Sequence, residues 1–150
     1  MPVPPTTPRP TGRGFFKGNS VDVFDRHISD EVTLRLPICP GVNALYRAFV
    51  RPGAKYATSI KSEAYRRWIK DAGAQLEGQS PACVPGLFEF EMSVPAKARG
   101  DLDGFLKASL DLLEAHGVIE NDKHCQRIEV WRSVEEQEAM VLSVRKRNVE

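Results

Sequence analysis

In LFEFEMSV, residues 87–94, Phe88, Phe90, Met92 and Val94 alternate with Glu89, Glu91 and Ser93. A period of two sends successive side chains to opposite faces of an extended chain, so this stretch reads as a strand with one apolar and one polar face. A sheet built from such a strand must be covered on its apolar side, which makes the amphipathic helices of the chain its natural cover. Two segments qualify. In IKSEAYRRWIKDAGAQL, Ile60, Ala64, Trp68, Ala72 and Leu76 recur every fourth residue and Ser59 or Ser62 can cap the start. In DGFLKASLDLLEAHG, Phe105, Leu106, Ser109, Leu110 and Leu113 form a stripe and Gly117 supplies a stop. VTLRLPI repeats the strand alternation at Val32, Leu34, Leu36 and Ile38, with Pro37 marking a sheet edge. ALYRAFV and KYATS flank the turn residues RPG, predicting a hairpin over 45–58. RIEVWR and AMVLSVR close the chain as strands around an SVEEQE turn. The order predicts an α+β fold: a small mixed, largely antiparallel sheet packed against two main helices.

At 150 residues the chain has room for one such domain, expected over 32–150. Residues 1–31 form an N-terminal extension. Its first twenty residues hold Pro2, Pro4, Pro5, Pro8 and Pro10 with Gly12, Gly14 and Gly18, a composition that cannot bury a core and is expected to stay extended or disordered. No apolar run is long enough to cross a membrane and the start lacks a signal-peptide core, so a cytoplasmic location without a membrane partner is expected. Cys39, Cys83 and Cys125 are odd in number and form no CxxC pair, which fits small apolar residues better than a disulfide framework or a zinc site.

Charge is unevenly distributed. Residues 43–70 carry Arg47, Arg51, Lys55, Lys61, Arg66, Arg67 and Lys70 against Glu63 alone, whereas residues 101–125 set Asp101, Asp103, Asp111, Glu114, Glu120 and Asp122 against Lys107 and Lys123. One part suits a polyanion and another concentrates carboxylates, although two separately solvated faces would read alike. The acidic stretch, DLDGFLKASLDLLEAHGVIEND, is not a calcium loop: counted from Asp101, the required glycine falls on Leu106 and the bidentate glutamate on Leu112. Two readings stay open. Asp103 caps the helix with Lys107 as its ion-pair partner one turn on, or Asp101, Asp103 and Asp122 hold a metal beside Lys107. Hard oxygen ligands suit Mg²⁺, and a nearby lysine suits phosphoryl charge, so the second reading points to phosphodiester chemistry. A helix of about 14 residues spans roughly 21 Å. Asp122 therefore meets Asp101 only if residues 117–122 fold back along the helix or if two subunits combine.

The run RGDLDGFLKASLDLLEAHGVIENDKHCQRIEVWR resembles the signature region of the RusA-type Holliday junction resolvases, and LPICPGVNALYRAFVRPGAKYATSIKSEAYRRWI resembles that family's opening strand, its Pro-x-x-x-Asn segment and its Tyr-Arg helix. The resemblance implies a Mg²⁺-dependent homodimeric endodeoxyribonuclease that resolves four-way junction DNA by paired nicks. It assigns catalytic, metal-binding roles to Asp101, Asp103 and Asp122 and an essential role to Lys107. On that reading Asn43, Arg47, Lys61, Arg66, Arg67, Lys97 and Arg99 become candidate DNA phosphate contacts, with Tyr46 as a stacking group. Gly104 stands where the family has asparagine, and Gly100 where a basic residue precedes the first aspartate. These departures keep a second expectation in play, a junction-binding protein without nuclease activity. An enzyme using the acidic pair to hold a nucleotide sugar is disfavoured by the short chain and the lack of a glycine-rich phosphate loop.

Overall fold

The computed structural model describes residues 26–40 and 46–148. The Pro/Gly-rich stretch 1–20 and the candidate DNA contact Asn43 lie outside the described residues. The elements follow in the order β1 (Glu31–Leu36), β2 (Tyr46–Phe49), β3 (Thr58–Lys61), α1 (Glu63–Gly78), β4 (Phe88–Pro95), α2 (Leu102–Ala115), a 3-10 turn at Asp122–His124, β5 (Cys125–Ser133) and β6 (Met140–Lys146). This is the α+β architecture that the periodicities predict. A four-stranded sheet has the order β1-β6-β4-β5, and β2 and β3 form a separate hairpin.

Alternation decides which face is covered. Leu34, Leu142 and Met92 are register partners across β1, β6 and β4, and all three are buried. The intervening positions Thr33, Ser143 and Glu91 line the opposite, open face. Both helices lie over the apolar face. α1 contributes Tyr65, Trp68, Ala72 and Leu76, and α2 contributes Phe105, Ala108, Leu112 and Leu113, to one core with Phe88, Phe90 and Met92. Each fully buried aromatic or aliphatic side chain in it is worth about 1.5–3 kcal/mol of transfer free energy. Trp68 also donates from Nε1 to the Pro37 carbonyl at 2.8 Å, tying α1 to the end of β1.

The β4–β5 pair is parallel while β1–β6 and β4–β6 are antiparallel. Parallel neighbours need a crossover, and α2 supplies it. Consequently α2 begins at the C-terminal end of β4 and returns the chain to the N-terminal end of β5.

Local differences from the sequence reading have simple causes. Strict four-residue spacing drifts around a 3.6-residue helix. Ala64 is therefore exposed, Ile60 belongs to β3, and Tyr65 takes the core position. Ser62, not Ser59, caps α1, accepting from Tyr65 N at 3.1 Å. The hairpin extends to Lys61 rather than ending at 58, with Gly53 at a φ of 84° in its turn. Contacts with the domain also reach back beyond Val32. The Arg26 guanidinium donates to the carbonyls of His116 and Pro81 and pairs with Glu77, and Ile28 bridges to Cys83.

Glu77 also accepts from or pairs with His116 Nδ1 at 2.7 Å, so the C-terminal ends of both helices are clamped together. The imidazole lies against Gly73, where a Cβ would come within 2.8 Å of His116 Nε2. Gly73→Ala is expected to destabilise the domain by about 1 kcal/mol, because displacing the ring costs more than the roughly 1 kcal/mol of helix preference gained. In a His116→Ala background the same change should become stabilising. Urea melts of the four proteins check the sign reversal.

Candidate active site and nucleic-acid surface

The loop leaving β4 is short and pinned. Ala96 N donates to the Ser133 carbonyl and Ala98 N to the Pro95 carbonyl, turning the chain over the end of β5. From β5, Arg132 donates to the carbonyls of Ala98 at 2.8 Å and Gly100 at 2.5 Å. Gly100 has a φ of 127°, a conformation that side-chain-bearing residues rarely adopt. The turn that delivers Asp101 thus favours a glycine at position 100.

Asp101 is the N-cap residue of α2, and its side chain makes no cap hydrogen bond. This corrects the expectation that Asp103 caps the helix: Asp103 lies in the first turn, exposed. The expected Asp103–Lys107 ion pair is also replaced. Lys107 Nζ lies 3.5 Å from Asp111 Oδ2, one turn further along. Among the described residues, neither Asp101 nor Asp103 has a side-chain partner, so two exposed carboxylates stand free beside the positive end of a helix dipole. Two unpaired hard-oxygen donors two residues apart at the start of one helix are of the type that a divalent cation such as Mg²⁺ takes, one or two carboxylates with the shell completed by water or phosphate.

Asp122 does not join them within one chain. Residues 118–120 do not fold back along α2: Val84 N donates to the Val118 carbonyl, Ile119 bridges Val84, and Gly86 N donates to Glu120 Oε1 at 3.0 Å. They run beside the segment entering β4. Asp122 then precedes Cys125, the register partner of Phe88, while Asp101 follows Pro95, the partner of Ser133. Eight strand residues separate these ends by roughly 23 Å. In agreement, no three His, Cys, Asp or Glu side chains among the described residues converge on a cation site.

The basic candidates divide into two groups. Arg47 from β2 and Arg66, Arg67 and Lys70 from α1 line one basin of about 660 Å³, with Glu63 at its margin. Lys70, one of the cations of the basic segment 43–70, joins the candidate contacts here. Tyr46 and Lys61 are cross-strand partners in the hairpin beside this basin. The Tyr46 ring meets Tyr65 edge-on at 5.8 Å, and Lys61 Nζ lies 5.8 Å from the Tyr65 ring centre. Burial pushes the Tyr65 phenol up, and Tyr46 and Asp111 add to the shift. Asp103, Lys107 and Asp111 follow at four-residue spacing along α2, and Asp111 is the one whose charge reaches Tyr65. Lys97 and Arg99 stand apart on the loop before Asp101, with Lys97 Nζ 3.7 Å from Glu138 Oε1.

Among the described residues the cysteines join no group of three or more His, Cys, Asp or Glu side chains that could hold a metal ion. All three are free thiols; burial pushes Cys39 up to about 12 and raises Cys83 and Cys125 as well. No helix among the described residues is long and apolar enough to cross a membrane. Arg132 is a candidate positioning residue that sequence reasoning missed, because RIEVWR carries no sign that strand register brings its guanidinium to the loop before Asp101.

No protein-family model matches the chain, and no curated protein matches its sequence.

Proposed function

We propose that the protein is a Mg²⁺-dependent, structure-specific endodeoxyribonuclease of the RusA type, acting as a homodimer on four-way DNA junctions. The observation that carries the reading is the pair of unpartnered carboxylates, Asp101 and Asp103, at the start of α2, with Lys107 on the next turn. Asp101 and Asp103 of one protomer are the residues that would hold the metal, with Asp122 able to reach it only from a second subunit, and the metal's chemistry when bound would be to lower the pKa of a water and polarise a phosphoryl oxygen. Lys107, paired among the described residues with half-buried Asp111 and itself exposed, would turn its ammonium to a phosphate and neutralise charge there. The Arg47–Arg66–Arg67–Lys70 basin grips the backbone away from the cut, and Tyr46 offers an apolar face to an unstacked base.

The test compares a labelled four-way junction with linear duplex in Mg²⁺. Paired nicks in the junction alone support the reading. Binding without cleavage would favour the second reading, a junction-binding protein, toward which Gly104 in place of the family's asparagine leans. For the basin, the triple change Arg47→Ala, Arg66→Ala, Arg67→Ala should weaken junction binding about a hundredfold at moderate salt and flatten the dependence of affinity on salt by about three counterions. Titrations by fluorescence anisotropy across a salt series measure both. An unchanged salt slope would remove the basin from the DNA surface.

A further inference from the structure

We infer that the β2–β3 hairpin is an arm that takes unpaired DNA bases, with Phe49 and Tyr56 as its stacking rings and Arg51 and Lys55 holding the adjoining phosphates. This role rests on the DNA reading above and is independent of the metal chemistry.

The hairpin belongs to neither layer of the domain. Every residue from Tyr46 to Ser59 is exposed, whereas β1, β4 and β6 each bury one face. Its root is held where Tyr46 and the cross-strand partner Lys61 meet Tyr65 of α1. From Tyr46 to Pro52 the chain runs six residues, roughly 20 Å when extended. The far end is shaped by a turn. Ala54 N donates to the Arg51 carbonyl at 2.9 Å, Pro52 takes the second position and Gly53, at a φ of 84°, the third. Proline there fixes the first bend and glycine supplies the positive φ without steric cost, the pattern of a type II turn. The tip therefore has its shape before any ligand arrives.

Two chemistries meet on this arm. Phe49 is 42% exposed, Val50 58% and Tyr56 82%. A two-stranded ribbon is only marginally stable by itself, and apolar groups gathered uncovered at one place mark a contact surface. Around them stand Arg47, Arg51, Lys55 and Lys61, with no aspartate or glutamate from 46 to 61. Among the described residues, exposed Arg51 and Lys55 have no ion-pair partner.

This combination selects the occupant. Two copies of the arm would set cations against cations, so a second chain of the same kind is a poor partner. A polyanion with accessible ring faces is a good one, because phosphates take the cations and bases stack on the rings. In linear duplex the bases are stacked on one another and only their edges face the grooves. A single strand, or a branch point whose pairs open, presents their faces. The basin of Arg47, Arg66, Arg67 and Lys70 is lined by no aromatic residue. Backbone grip thus belongs to α1, and discrimination of branched from linear DNA belongs to the arm.

Binding by the full chain is measured in EDTA, where no strand is cut, on three probes: a thymidine oligonucleotide, a linear duplex and a four-way junction. The double change Phe49→Ala, Tyr56→Ala should weaken binding of the oligonucleotide and the junction about tenfold or more, and of the duplex less than twofold. Tyr56→Ala alone, at a side chain outside the strand pairs, should show part of the same loss without disturbing the hairpin, and Tyr56→Phe should restore it. With 5-iododeoxyuridine beside the branch point, irradiation should crosslink the base to the arm. Equal losses on all three probes, or none, would overturn the arm. Self-association abolished by Tyr56→Ala with binding unchanged would assign these rings to a second copy instead. A wild type that prefers no junction over duplex, yet loses the oligonucleotide in the double variant, keeps the arm and sinks the four-way junction reading. Junction cleavage in Mg²⁺ by a double variant that binds every probe as the wild type does keeps the nuclease and sinks the arm. A wild type that binds none of the probes sinks both.

Discussion

Asp101→Asn should reduce junction cleavage by at least about a thousandfold while leaving junction binding intact. The substitution is isosteric and removes only the charge. Asparagine and aspartate serve almost equally at a helix N-cap, and the Asp101 side chain makes no cap bond that the change could break. The fold should therefore keep its stability, and the melting transition is the control. Binding should hold or tighten slightly, since one negative charge near incoming phosphates disappears. A labelled junction followed on denaturing gels, with anisotropy for binding, separates the two effects. Wild-type cleavage rates in Asp101→Asn would sink the nuclease assignment. Loss of binding together with cleavage would mean that Asp101 shapes the surface rather than the chemistry.

The parts of this fold that were legible in the sequence are those where one local period meets one environment. LFEFEMSV and VTLRLPI each face one core, so the alternation of Phe88, Phe90 and Met92, or Val32, Leu34 and Leu36, maps directly onto burial. Both helices were legible for the same reason, but their edges were not. Ile60 extends a helical four-residue pattern and yet belongs to β3, because cross-strand pairing to Arg47 outweighs a weak propensity. The mixed, largely antiparallel character of the sheet was legible, but which pair runs parallel was not. Whether β5 runs parallel or antiparallel to β4 depends on where α2 deposits the chain, and that choice decides whether Asp122 lies beside Asp101 or a strand length away. Candidate ligands could thus be named from residue type and spacing, while their grouping could not. The cap is the finer case: Asp101 and Asp103 are both good capping residues, and the turn at Gly100 selects the first.

The second large effect concerns a residue with no chemical signature in the sequence. Arg132→Ala should lower the turnover of junction cleavage by about ten- to a hundredfold with little change in the substrate concentration needed for half-maximal rate. The guanidinium holds the carbonyls of Ala98 and Gly100, so its loss frees the turn that sets the direction of the Asp101 carboxylate. Carboxylates displaced by about an ångström no longer present productive geometry, a cost that falls on the chemical step rather than on binding. The alternative for an exposed arginine at this end of β5 is a direct phosphate contact. That role would raise the half-saturating concentration and flatten the salt dependence of binding by about one counterion, with turnover preserved. Arg132→Lys sharpens the comparison. A lysine keeps the charge and reaches one carbonyl but not both, so it should restore phosphate binding fully in the contact role and turnover only in part in the positioning role. Single-turnover cleavage of the three proteins, with junction binding across a salt series, decides between these roles.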